Sequence, residues 1–131
     1  MISDQDIIDW ISELGMKIEK VSGNNFFQIN VTPPIGGPSV TIIRPKSNDK
    51  YYIFTIIINL DKEPNRNIIR SIAMDLMRMN VEFFFTPEDK PINLHIAKLL
   101  FGEGLNRNDL LNTLTLVKNA AYLSITWLQE S

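Results

Sequence analysis

The stretch Tyr51 to Leu60 (YYIFTIIINL) constrains the fold more than any other part of the chain. It is far shorter than the roughly 20 apolar residues that a membrane-crossing helix needs. Read as a strand, it puts Tyr52, Phe54, Ile56, Ile58 and Leu60 on one face and Tyr51, Ile53, Thr55, Ile57 and Asn59 on the other. Side chains that are apolar on both faces predict a central strand, covered at least partly on each side. The rest of the fold has to supply a sheet around it.

The flanking periodicity supplies that sheet. Met16 to Val21 alternates weakly, and after the turn Ser22-Gly23-Asn24-Asn25 the residues Phe27, Ile29 and Val31 alternate with Gln28 and Asn30. The 33–39 segment (PPIGGPS) is a loop by composition, and Val40 to Arg44 forms the next strand before Pro45. Beyond the central strand, Val81 to Thr86 reads as a strand. A second, Ile92 to Ala97, extends toward Phe101 after the turn Pro87-Glu88-Asp89-Lys90.

Three segments have helical spacing instead. Ile7, Trp10, Ile11 and Leu14 form one stripe over about Asp4 to Leu14, with Ser3 and Asp6 as a capping box and Gly15 as the stop. Pro64-Asn65 opens a second helix running to about Met79, with Ile68, Ile69, Ile72, Ala73, Leu76 and Met79 on one face. Asn106 caps a final helix that ends near Gln129 and is about 34 Å long at ~1.5 Å per residue. The predicted order is therefore α-β-β-β-β-α-β-β-α in one domain, residues 1–131. The short links between strands imply an antiparallel α+β sheet of five to six strands, with the helices mainly on one face.

Composition excludes several kinds of chemistry. The chain has 13 Lys and Arg against 15 Asp and Glu, a formal net charge of −2, so it lacks the clustered positive charge that grips a phosphate backbone. With no Cys, disulfides, thiol nucleophiles and cysteine metal sites are ruled out. The single His, His95, has no carboxylate near it in sequence to orient it and reads as a surface or edge-strand residue. The acidic groups Asp4/Asp6/Asp9 and Asp61/Glu63 sit at helix starts, and Glu88/Asp89 in a turn, where the helix dipole and turn geometry account for them. Gly102-Glu103-Gly104 lacks the further residues of a dinucleotide or phosphate loop. Phe83-Phe84-Phe85 is flanked by Glu82, Glu88 and Asp89, which favours a core or partner contact over nucleic acid. The reading is of a non-enzyme with no cofactor and no metal. The first residues, MISDQDIIDW, carry no basic n-region, so the expectation is a soluble cytoplasmic protein without a membrane partner.

The last helix carries one stripe more than a sheet requires. Leu110, Leu114, Val117, Ala121, Ile125 and Leu128 suffice to cover one face of a sheet. Leu116, Ala120, Leu123 and Trp127 form a second stripe beyond Thr113 and Ser124. This stripe packs on another helix of the chain, on a second copy, or on a client. Met74, on the polar face of the second helix, points the same way. Met74, Leu116, Ala120, Leu123 and Trp127 are therefore the candidate partner or dimer interface. An alternative function is small-ligand binding or regulation, using the inner sheet face with the 33–39 loop as a lid.

This arrangement of elements resembles the type III secretion chaperone-like fold, and the sequence is similar to a family of uncharacterised archaeal proteins assigned to that fold. The resemblance spans nearly the whole chain, from the helix around Trp10 to the one ending near Gln129, without a diagnostic motif. It implies a homodimer with no catalytic residues, and a chaperone-like or adaptor function that binds extended client segments, partly by strand addition. Dimerisation through helical surface would suit Leu116, Leu123, Trp127 or Met74. In an archaeal source only the fold and the protein-binding habit carry over.

Overall fold

The structure is a computed structural model that describes residues 3–34 and 36–130. Its elements are α1 (Asp4–Glu13), β1 (Lys17–Lys20), β2 (Phe27–Thr32), β3 (Val40–Arg44), β4 (Tyr51–Asn59), α2 (Arg66–Arg78), β5 (Glu82–Thr86), β6 (Asn93–Phe101) and α3 (Arg107–Gln129). The α-β-β-β-β-α-β-β-α order and the α+β class are as the periodicity predicts. The caps are as read too. Ser3 and Asp6 form a reciprocal capping box on α1, and Asn106 and Asp109 form one on α3. Asn65 accepts from the Ile68 N–H at the start of α2.

The six strands form one antiparallel sheet in the order β1-β2-β3-β4-β6-β5. The first four are a meander. The chain then leaves through α2, returns as the edge strand β5, and turns back so that β6 fills the gap beside β4. The β4–β6 ladder runs from Tyr51↔Phe101 to Asn59↔Asn93 and is the long central pairing of the sheet.

All three helices share one side of this sheet. Ile7 and Ile11 of α1, Ile72 and Leu76 of α2, and Leu110, Leu114 and Val117 of α3 join Ile29, Ile42, Tyr52, Phe54, Leu94 and Ile96 in a single buried core. Near one edge of this core, Asp4 accepts from Arg44 (2.7 and 3.0 Å) and from the Tyr52 hydroxyl (2.7 Å), joining α1 to β3 and β4. Burial raises the Asp4 pKa, but those hydrogen bonds and the Arg44 charge outweigh it and hold the carboxyl below its ordinary value.

One expectation needs correction. The periodicity predicts a central strand covered at least partly on each side, yet among the described residues only its even-numbered face lies under helices. Ile57 on the opposite face is 56% exposed. The apolar alternation of β4 is real; on its outer face Tyr51, Ile53 and Thr55 are half-buried, and the described residues place no helix over them.

Candidate functional site: the helix-free face of the sheet

The register sorts the outer-face residues into rows that cross the strands. Phe84, His95 and Ile57 form one row across β5, β6 and β4. The next row holds Glu82, Ala97, Thr55 and Thr41. Beyond it lie Leu99, Ile53 and Ile43, and then Phe101 beside Tyr51. Phe84 is 54% exposed and Phe101 65%, while Ile53, Leu99 and Tyr51 are half-buried. Among the described outer-face positions of β3 to β6, Glu82 is the lone charge, and β1 adds Lys17 and Glu19 at the far side. The result is an apolar patch with a polar rim.

Several polar atoms of the patch already have partners. The His95 ring stacks on Phe84 with centroids 4.5 Å apart and planes 9° from parallel. His95 Nε2 and Thr86 Oγ1 share a 2.7 Å hydrogen bond. Thr55 Oγ1 donates to the Ile96 carbonyl at 3.0 Å. Tyr51 stacks on Phe101 at 6.3 Å. A surface whose polar groups are satisfied internally loses little when water is excluded from it.

His95 was read as a surface or edge-strand residue. It is on the sheet surface, but β6 is an interior strand, lying between β4 and β5. Of the consecutive phenylalanines, Phe83 and Phe85 pack against the core and Phe84 faces outward.

The five residues singled out on the helices separate into two groups. Ala120 is fully buried and has no surface to offer a partner. Leu116 and Trp127 pack against the core, and α2 and α3 lie side by side there. Trp127 Nε1 donates to Asp75 Oδ2 at 2.7 Å. Of the second stripe, Trp127 is therefore bonded to α2, while Leu116 and Ala120 are taken up by the core. Met74 (47% exposed) and Leu123 (37%) remain on the surface, together with Met77, which was not singled out.

The inner sheet face, over which the 33–39 loop is expected to close as a lid, is filled by core side chains. Gly37 instead lies against Tyr122 of α3, so closely that a Cβ there would collide with the phenol; Ile35 falls outside the described residues. A separate open cleft of about 510 Å³ lies between the end of β4 and the end of α3, lined by Ile58, Leu60, Asp61, Lys62, Ile125 and Leu128. Among the described residues no three His, Asp or Glu side chains converge as metal ligands, and no helix is long and apolar enough to cross a membrane.

The family described as "Uncharacterized conserved protein (DUF2299)" matches residues 3–128, and the chain belongs to that family. No curated protein is a significant sequence match. Among solved structures, an uncharacterized protein from Methanothermobacter thermautotrophicus superposes with a TM-score of 0.86 at 21% identity, covering 98% of each chain. YbjN from E. coli gives 0.59 at 15% identity, over 98% of this chain and 90% of its own. The heterodimeric ExoU-SpcU complex of the Pseudomonas aeruginosa type III secretion system contains a chain that gives 0.62 at 12% identity, over 94% of this chain and 98% of its own. At these identities the likeness is one of fold, and it matches the fold resemblance read from the element order.

Proposed function

We propose that this member of the DUF2299 family is a non-enzymatic protein-interaction module, chaperone-like or adaptor in kind, that works as a self-associating chain. The observation that carries the reading is the helix-free face of the sheet. Phe84, Ile57 and Phe101 stand there on paired strands, exposed, with Thr55, Thr86 and His95 Nε2 beside them already hydrogen-bonded. Contiguous apolar surface of this kind, with a polar rim, is characteristic of protein interaction sites. The fold shared with a chain of the ExoU-SpcU complex supports it, since that structure is a complex of two different proteins. Met74 and Leu123 offer a second, smaller contact on the helical side, suited to a client.

The test combines sedimentation with the binding of an apolar fluorescent dye across a dilution series. The expected result is assembly at micromolar concentration, with dye binding rising as the assembly dissociates. A chain that is monomeric throughout and binds no dye in its native state overturns the reading. Proteins captured on the immobilised chain are expected to be lost on Leu123→Glu or Met74→Glu, in variants that remain folded.

A second reading, small-ligand binding, is favoured by the cleft at Ile58, Leu60, Ile125 and Leu128, whose volume of about 510 Å³ is within the usual range for ligand sites. It predicts a ligand-dependent rise in melting temperature across a metabolite panel. A flat response counts against it.

A further inference from the structure

We infer that the exposed face of α2 docks an acidic segment of a partner protein, one whose carboxylates flank an apolar side chain. The inference rests on the protein-interaction reading and names the chemistry of the client on the helical side.

Helical spacing draws the face. At about 100° per residue, Arg66, Met77, Arg70, Met74 and Arg78 fall in that angular order within an arc of about 120°. All five are exposed, Met74 by 47% and Met77 by 67%. The opposite side of α2 carries Ile68, Ile72 and Leu76 into the core. From Arg66 to Arg78 the face is about 18 Å long at ~1.5 Å per residue.

The other arginines of the chain say what this face takes. There are five in all. Arg44 is on Asp4 at 2.7 Å, and Arg107 is on Glu13 at 2.8 Å. The remaining three are on α2. Among the described residues Arg66 and Arg70 have no carboxylate within ion-pair distance, and Arg78 reaches only Asp75, at 3.8 Å. A guanidinium presents its donors in a planar fork that matches a carboxylate, and α2 carries no lysine.

Helix stability does not account for these three. The dipole favours acids in the first turn, and α1 and α3 have aspartates there. In α2 the first turn holds no acid and begins with Arg66. Arg66 and Arg70, four residues apart, are a like-charge pair that costs the helix stability. A chain of net charge −2 therefore gathers unpaired positive charge where its own helix is weakened by it. Such departures from local preference mark functional surfaces.

Other occupants match this face less well. A two-fold contact between copies would set arginine against arginine. Anchoring on an anionic membrane takes about four to eight basic residues. The methionines between the charges suit an apolar side chain of a protein partner, to which their flexible thioethers adapt.

The experiment is fluorescence anisotropy with two labelled helical peptides of the 13-residue length of α2. One has Glu at i, i+4 positions beside a leucine stripe, and the other has Lys in place of each Glu. Wild type is expected to bind the Glu peptide at least about tenfold more tightly than the Lys peptide, and less tightly as salt rises. Arg66→Glu combined with Arg70→Glu is expected to weaken that binding by about tenfold or more. Lys46→Glu combined with Lys90→Glu makes the same change in net charge at other exposed positions and is expected to stay within about twofold. Arg66→Glu alone is expected to raise the melting temperature by about 1–4 °C. A fall instead makes Arg66 a structural residue and overturns the inference. Equal binding of the two peptides by wild type, or equal losses with the arginine and lysine pairs, also overturns it. So does co-sedimentation with phosphatidylserine vesicles that the arginine pair abolishes, if the Glu peptide is not preferred. Self-association lost with the arginine pair moves the face to a contact between copies and overturns it too. In each case the interaction module, which is tested by sedimentation and dye binding, is left standing.

Discussion

The indole Nε1 of Trp127 donates a 2.7 Å hydrogen bond to the Asp75 carboxylate, joining the last turns of α3 and α2. Arg78, with its Nη1 3.8 Å from the other carboxylate oxygen, is a weakly placed second partner of Asp75. Trp127→Phe keeps most of the packing and removes the bond. It is expected to cost about 1 kcal/mol, seen as a melting temperature lower by about 3–5 °C. Asp75→Asn is expected to cost less, because its amide oxygen can still accept.

The Asp4–Arg44–Tyr52 cluster predicts the shape of the stability curve against pH. The Asp4 carboxyl is held below its ordinary value of 3.8, so its contribution is complete above that value and is lost as the pH falls through the folded-state pKa. Tyr52 is shifted the other way, by burial and by donating to the Asp4 carboxylate. Its contribution is complete below its ordinary value of 10.0 and is lost as the pH rises through the raised folded value. Urea unfolding of Asp4→Asn between pH 2.5 and 6 is expected to give a flatter acid limb than wild type. Tyr52→Phe is expected to flatten the alkaline limb and to cost about 1–2 kcal/mol at neutral pH.

Gly37 has φ of +104° and lies against the Tyr122 hydroxyl. Gly37→Ala meets both a disfavoured backbone conformation and a collision, and is expected to destabilise by about 1–3 kcal/mol. Adding Tyr122→Ala relieves the collision alone. Thermal unfolding of the single and double variants separates the two contributions, and a neutral Gly37→Ala would contradict the close approach.

Two residues of β4 test the sidedness of the sheet directly. Phe54 is fully buried beneath the helices, and Ile57 is exposed on the other side. Phe54→Ala is expected to cost about 3–5 kcal/mol. Ile57→Ala, measured at a dilution where the chain is monomeric, is expected to stay within about 0.5 kcal/mol of wild type. Comparable losses at both positions would mean that the outer face is covered within the chain.

These contrasts also separate what the sequence discloses from what it conceals. Local signals fix the elements: the Ser3–Asp6 box, the Asn106 cap, the period change after Gly15, and the stripes of α2 and α3 all predict structure within a few residues of where it occurs. The alternation of β4 shows two apolar faces but not which one a helix takes, because the covering residues come from elements far away in the chain. The row of Phe84, His95 and Ile57 is invisible for the same reason. Its members belong to three strands, and the insertion of β6 between β4 and β5 brings them together. His95 lacks a neighbouring partner in sequence, and its actual partners, Phe84 and Thr86, are on the strand across the turn. Nor does the second stripe of α3 announce its partner. Ala120 is buried in the core and Trp127 bonds to α2, while Leu123 remains at the surface.

The strand order has a kinetic consequence. The meander β1 to β4 closes through short turns, so its pairing costs little loop entropy and can form early. The β4–β6 ladder has to wait until α2 and β5 have been laid down, because its nearest pair, Asn59↔Asn93, already encloses both. During refolding, amides of the β2–β3 pair are expected to gain protection from hydrogen exchange before those of β6; simultaneous protection would argue against this order. Until β6 arrives, β4 is itself an open edge, with the most apolar segment of the chain unpaired on the side that β6 will take. That interval, rather than the finished sheet, is when this chain is most exposed to aggregation.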